Sequence, residues 1–206
     1  MSKMTESANR TSLWTSTSPA PYQYPWLSDN ASCQVAVVGG GIAGAFAAYR
    51  FAKAGVDTLL VSRSPIGYGE IAGSMGLMEY DHDEGLLSLA KRIGKDRAVQ
   101  AFSLCREGLE KVEEICRELP KDVHFVRRDA LLCTGDKQAL DGFYDEYRMR
   151  RHNGFEVELL TKEKAGELFS FPIEAGILSK NLGGEVDPYQ LCCALIHRAK
   201  ELGARV

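Results

Sequence analysis

The 206-residue chain lacks several things, and each absence excludes a class. It carries no long block of like charge. Its net charge is -3, with both signs mixed along the chain. Nothing in it therefore asks for nucleic acid or an anionic membrane as a partner. The six cysteines, at 33, 105, 116, 133, 192 and 193, form no C-x-x-C pair and no zinc spacing, so no metal site is expected. Cys105 and Cys116 fall about three helical turns apart, on one helix face. All six read most simply as buried structural thiols, the vicinal pair Cys192-Cys193 included. A reducing, cytoplasmic setting suits them. The amino end, MSKMTESANRTSLW, has no apolar core and does not read as a signal peptide. Residues 31–49 carry no charge and are long enough to span a bilayer. They contain Gln34 and three consecutive glycines and end in an alanine-rich pattern, so a buried strand, turn and helix explain them better than a membrane span. The four histidines, His82, His124, His152 and His197, show no partner in sequence and read as structural or exposed rather than as bases.

What is present is an ordinary globular balance, 45% hydrophobic and 26% charged, sufficient for a sizeable core in one or two domains. Residues 1–30, rich in Ser, Thr and Pro, read as an extended arm pinned by Trp14 and Trp26. A strand is expected over 34–38, a turn over 39–44 and a helix over 42–54. The inner face of that helix would be Ala43, Ala47 and Ala48, with Phe51 a turn on, and Gly55 would stop it. A second strand, 57–61, makes this the opening of a right-handed parallel crossover. A glycine-rich loop, 65–76, follows. Apolar residues from Ala98 to Leu119, alternating four and three apart, mark one helix stripe. Then come strand patterns at 123–127 and 130–134, read as a hairpin, and an amphipathic helix, 136–152. A half-buried strand, 155–160, precedes a short helix capped by Thr161. Asp187, Pro188 and Gln190 are placed as N-cap, first helical residue and reciprocal capping-box partner of a last helix that Gly203 ends. Residues 204–206 begin another strand.

The chemistry sits in Gly39-Gly40-Gly41-Ile42-Ala43-Gly44, a G-x-G-x-x-G run that follows a strand and opens a helix. Gly39 allows the tight turn, Gly41 lets a pyrophosphate approach the backbone, and Gly44 lets helix and strand pack closely. The helix N-terminus offers free N–H groups and the positive end of its dipole. Roughly 20 positions on, where an acid would hold the ribose hydroxyls, the second strand ends at Ser62. Serine can bond a hydroxyl only without charge, and Ser62-Arg63 also suits a 2′-phosphate, which favours NADP over FAD.

The run VAVVGGGIAGAFAAYRFAKAG resembles the amino end of the glycine oxidase, sarcosine oxidase and D-amino-acid oxidase superfamily. SLWTSTSPAPYQYPWL is similar to the arm of its gamma-glutamylputrescine oxidoreductase-like branch. IGYGEIAGSMGLM resembles its second flavin-contacting loop, and GGEVDPYQLCCALIHRAKELGARV its segment returning to the nucleotide domain. The chain departs from the family at Ser62, at Thr58 and at Ile71, while Ser74 falls near a frequent Asn.

The resemblance implies an α/β fold. Residues 31–80 would be a Rossmann-like FAD-binding βαβ unit with the second flavin loop. Residues 81–186 would be a helical segment and part of an α+β substrate domain, and 187–206 the helix returning to the nucleotide domain. It also implies FAD as cofactor, with Gly73 and Ser74 joining the binding set, and a small amine or amino acid whose C–N bond is oxidised by hydride transfer to the flavin. No catalytic residue is assigned. Such a fold is expected to be truncated here, to need a carboxyl-terminal half or a complementing chain, and to be inert alone. Two alternatives stay open at this point: an NAD(P)-binding module, and a non-catalytic remnant.

Overall fold

The computed structural model describes residues 12–18, 22–81 and 84–206. In chain order the elements are α1 (Leu13–Thr17), β1 (Val35–Val38), α2 (Ile42–Lys53), β2 (Thr58–Val61), a 3-10 turn (Glu70–Gly73), β3 (Leu77–Glu79), α3 (Leu86–Ile93) and α4 (Lys95–Glu118). Then follow β4 (Val126–Thr134), a second 3-10 turn (Lys137–Ala139), α5 (Leu140–His152), β5 (Glu158–Thr161), α6 (Lys162–Leu168), β6 (Ala175–Glu185) and α7 (Pro188–Glu201). The chain forms two compact units. The first gathers Met1–Gly76, Cys116–His124 and Val186–Val206, and the second Leu77–Ile115 and Phe125–Glu185.

In the first unit β1 and β2 run parallel, from Val35 opposite Thr58 to Val38 opposite Val61. Arg205 adds a parallel bridge to Leu59, so the strand expected at 204–206 does begin there. Helix α2 joins the strands and packs on α7. It buries Ala45, Ala48, Tyr49 and Ala52, a stripe at helical spacing. The face expected from sequence is therefore turned: Ala48 is buried, but Ala43 and Phe51 are exposed. Tyr49 takes the inner position, and its hydroxyl donates to Glu118 at 2.7 Å. At the start of α7 the Asp187 carboxylate accepts the Gln190 N–H at 2.9 Å. The Gln190 side chain donates back to the same carboxylate, also at 2.9 Å. It does not serve the Asp187 backbone N–H, as a capping box requires, because that group already donates to Val123 O.

The arm differs from the extended form expected. Ser12 caps the short α1, and the Trp14 indole donates to Ser74 O at 2.7 Å. Trp26 is 91% exposed and pins nothing. Residues 1–11 and 19–21 of that arm lie outside the described residues.

The second unit is an antiparallel sheet centred on β6. Along one side of β6 runs β4, and along the other β3 and β5 divide its length. No hairpin forms within 123–134. The two expected strands are one, β4, interrupted by a bulge between Arg128 and Ala130. The Asp129 carboxylate at the bulge accepts the Asn181 N–H at 2.8 Å, tying the irregularity to β6. Tyr80, Phe102 and Phe155 are buried in the core of this unit, with ring centres 5.9–6.1 Å apart. Beside them Arg150, 1% exposed, bonds Asp81 and Glu146, both at 2.7 Å. Glu146 in turn accepts the N–H groups of Leu86 and Leu87. It thus caps α3, whose own N-cap, Gly85, has no side chain to offer.

All six cysteines are free. Cys116, Cys192 and Cys193 are buried as expected, but Cys105 and Cys133 are exposed and Cys33 is intermediate. Among the described residues no helix is long and apolar enough to cross a membrane, and no three His, Cys, Asp or Glu side chains gather as a metal site.

Candidate functional site

The glycine run lies in the first unit, where β1 ends and α2 begins. Each glycine meets a different demand. Gly39 has φ +117, a backbone region that side chains rarely adopt. Its N–H donates to Val61 O at 2.8 Å, tying the ends of β1 and β2 together. A Cβ on Gly40 would lie 2.5 Å from Ile66 Cδ1, and one on Gly44 only 2.0 Å from the Gly39 carbonyl oxygen. Gly41 is the exception. Its φ is -92, and nothing lies within 4 Å of an added Cβ. Packing explains the missing side chain at 40 and 44, and backbone twist explains it at 39. At 41 the protein itself leaves open space, as a ligand approaching the backbone requires.

Gly41 is also the N-cap of α2. It supplies no side-chain cap, and the first turn, with Ile42 and Ala43, holds no acid. An uncapped, acid-free helix start is the local condition for anion binding. The residues present therefore fit the pyrophosphate of a dinucleotide.

The turn is held from behind by two contacts on one atom. The Gly40 carbonyl accepts the Gly67 N–H at 3.0 Å. It also accepts the Cys192 thiol, at 3.4 Å. Three separated segments thus meet there: the glycine turn, the second loop and α7. Burial pushes the Cys192 thiol up to about 12, with Cys193 adding to the effect. Cys193 is raised, again by burial, to about 11. Both thiols are therefore protonated at neutral pH, and neither is a nucleophile.

At the end of β2 Ser62 is exposed, and its hydroxyl donates to Ser64 O at 2.7 Å. Its single proton is thus engaged, and a ribose hydroxyl can only donate to it. Arg63 is exposed and has no ion pair among the described residues. In the second loop Gly67, at φ +75, sits where a Cβ would lie 2.7 Å from the Tyr189 ring. Gly73 is exposed and closes the 3-10 turn, and Ser74 caps it. Ser74 O accepts from Trp14, and Ser74 Oγ accepts the Gly76 N–H at 3.2 Å. The structure thus brings Gly39 to Gly44, Ser62 and the front of the second loop into one unit. It adds Tyr189, which the sequence did not single out, and gives places at the site to Cys192 and Trp14, read in sequence only as a buried thiol and an anchor of the arm. Only their distance along a known topology could have shown them.

His124 and His152 are exposed, His197 stacks on Tyr22 at 3.8 Å, and His82 lies outside the described residues.

A parallel strand–glycine turn–helix–strand unit joined by a returning helix is the Rossmann-like arrangement of dinucleotide-binding proteins. The model of the "FAD dependent oxidoreductase" family matches residues 34–206, and the chain belongs to that family. It is 25% identical over 180 residues to gamma-glutamylputrescine oxidoreductase of Escherichia coli, covering 87% of this chain and 42% of that protein. It is 23% identical over 197 residues to a Bacillus subtilis protein named for a Rieske 2Fe-2S centre, covering 94% and 37%. Among solved structures, glycine oxidase from Geobacillus kaustophilus superposes with a TM-score of 0.64 at 23% identity, over 84% of this chain and 45% of that one. The chain thus spans about two fifths of the length of the curated relatives it matches.

Proposed function

We propose that this chain forms the dinucleotide-holding part of an enzyme that oxidises a C–N bond of a small amine or amino acid. The supporting observation is Gly41, left open at an uncapped helix start in a chain of the FAD dependent oxidoreductase family. Gly39, Gly40, Gly41, Ile42, Ala43 and Gly44 hold the pyrophosphate of FAD by backbone N–H groups and the helix dipole. Ser62 accepts from a ribose hydroxyl, with Arg63 beside it, and Gly73 and Ser74 border the flavin side. When bound, FAD supplies the two-electron acceptor for the C–N oxidation, while this chain's residues bind and orient it. The amine or amino-acid class is supported by the similarity to gamma-glutamylputrescine oxidoreductase. A cytoplasmic setting is supported by six free cysteines. Residues beyond these 206, on this chain or a complementing one, complete the substrate site. Titration of FAD against the parent and Gly41→Val tests the reading. Equal affinity for both sinks the site assignment, and tighter binding of NADP than of FAD favours an NAD(P) module instead.

A further inference from the structure

The three consecutive glycines leave the turn one weakness. The peptide between Gly40 and Gly41 has no Cβ on either side. Sterics therefore do little to fix that plane, because each flanking residue tolerates both signs of φ. The peptide is trans, so its C=O and its N–H point in opposite directions. One orientation aims the Gly41 N–H at the open space beside Gly41. The reverse aims the Gly40 carbonyl oxygen there, the negative end of the same dipole.

Hydrogen bonds hold the first orientation. Gly40 is buried and Gly41 is exposed. The Gly40 oxygen accepts the Gly67 N–H at 3.0 Å and the Cys192 thiol at 3.4 Å. A carbonyl oxygen has two lone pairs, and here each has a donor. At the other edge of the plane, the Gly41 N–H donates to no backbone acceptor among the described residues. Cys192 is wholly buried, and in such surroundings even a weak S–H donor counts.

We propose that Cys192 is a positioning residue for the cofactor. Its thiol, together with the Gly67 N–H, locks the 40–41 peptide so that the Gly41 N–H faces the pyrophosphate. This role rests on the function proposed above, since the pyrophosphate of FAD is what that N–H meets. A plane held by one bond instead of two samples the reverse orientation, which sets a carbonyl oxygen against an anion.

Two substitutions separate donation from packing. Cys192→Val keeps the buried volume and removes the donor. Cys192→Ser keeps a donor and gives up volume. FAD and ADP, which share the pyrophosphate, are titrated against the parent and both variants, and each protein is melted. Cys192→Val should melt close to the parent. It should bind both ligands about threefold to tenfold more weakly, the worth of one hydrogen bond. Cys192→Ser should melt lower, for the volume lost, yet bind both ligands like the parent. In a Gly41→Val background, where the phosphate space is filled, Cys192→Val should bring no further loss of affinity. Equal affinities in the parent and Cys192→Val overturn the positioning role, and so does a loss in Cys192→Ser as large as that in Cys192→Val. The FAD reading survives either result if Gly41→Val alone weakens FAD. Failure of both ADP and FAD to bind the parent overturns both.

Discussion

Gly44 and Gly41, three residues apart, should answer substitution in opposite ways. A Cβ at 44 would sit 2.0 Å from the Gly39 carbonyl oxygen, against a floor of 3.0 Å that real Cβ atoms observe. The obstacle is backbone at a residue already at φ +117, not a flexible side chain. Overpacking generally costs about 1–3 kcal/mol, so Gly44→Ala belongs at or above the top of that range. For a chain of this size that lowers the melting temperature by roughly 6–12 °C, at about 2–4 °C per kcal/mol. Gly41→Val meets no neighbour within 4 Å and keeps φ -92. Losing glycine as N-cap costs about 1 kcal/mol or less. The valine would fill the space proposed for phosphate, and a loss of on the order of 100-fold in FAD affinity, about 2.7 kcal/mol, is expected. Thermal melting and FAD titration of both variants give a two-by-two outcome. A Gly44→Ala protein that melts like the parent refutes the packing argument, and a Gly41→Val protein with unchanged FAD affinity refutes the site.

Ser62→Glu should tighten FAD binding by up to about tenfold through charged ribose contacts and weaken NADP. Tighter NADP in that variant contradicts the ribose role. Cys192 should remain unlabelled by a thiol reagent in the folded chain at pH 8, while exposed Cys105 and Cys133 react. Because burial raises Cys192 from 9.0 to about 12, folding favours its neutral form. That contribution is complete below pH 9 and lost as pH rises toward 12. Melting curves at pH 8 and 10.5 should show a smaller alkaline drop in Cys192→Ala than in the parent, and equal drops refute the linkage. Arg150→Leu strands Glu146 and Asp81 as unpaired carboxylates and should destabilise the second unit by about 3–5 kcal/mol. A denaturant midpoint unmoved by that change would count against the buried network. These 206 residues alone are expected to melt low, hold flavin weakly and turn over no amine, because among the described residues the parallel sheet is two strands and a single bridge. A yellow, active preparation overturns this.

The βαβ opening is legible in sequence because each of its signals is local. A short apolar run, three glycines, small residues at helical spacing and Gly55 all act within a few residues of themselves. The capped start of α7 is legible for the same reason. β6 is not legible. Ala175 to Glu185 mixes Lys180, Asn181 and three glycines and shows no alternation, yet it is the centre of its sheet, paired on both sides. A Cβ on Gly184 would press on the Leu109 and Phe125 side chains at 3.3 Å, so the glycine that weakens the strand pattern lets them pack closely there. The bulge at Asp129 likewise made one strand look like two. In the site, the glycine positions could be read from spacing. Cys192 could not, because its partner is a backbone carbonyl far away along the chain, and a carbonyl leaves no mark on sequence.

That partner has a consequence for the order in which the molecule assembles. The Cys192 thiol reaches the Gly40 carbonyl across 152 residues, whereas the turn's bond from Gly39 to Val61 closes a loop of ordinary local length. Long-range contacts form late, since the chain entropy of closure must be overcome before they contribute. During synthesis the glycine turn and its bonds to Val61 and Gly67 therefore emerge early, and the contact from α7 is added last. A nascent chain halted before residue 192 would carry every residue of the glycine turn without the thiol contact that backs it.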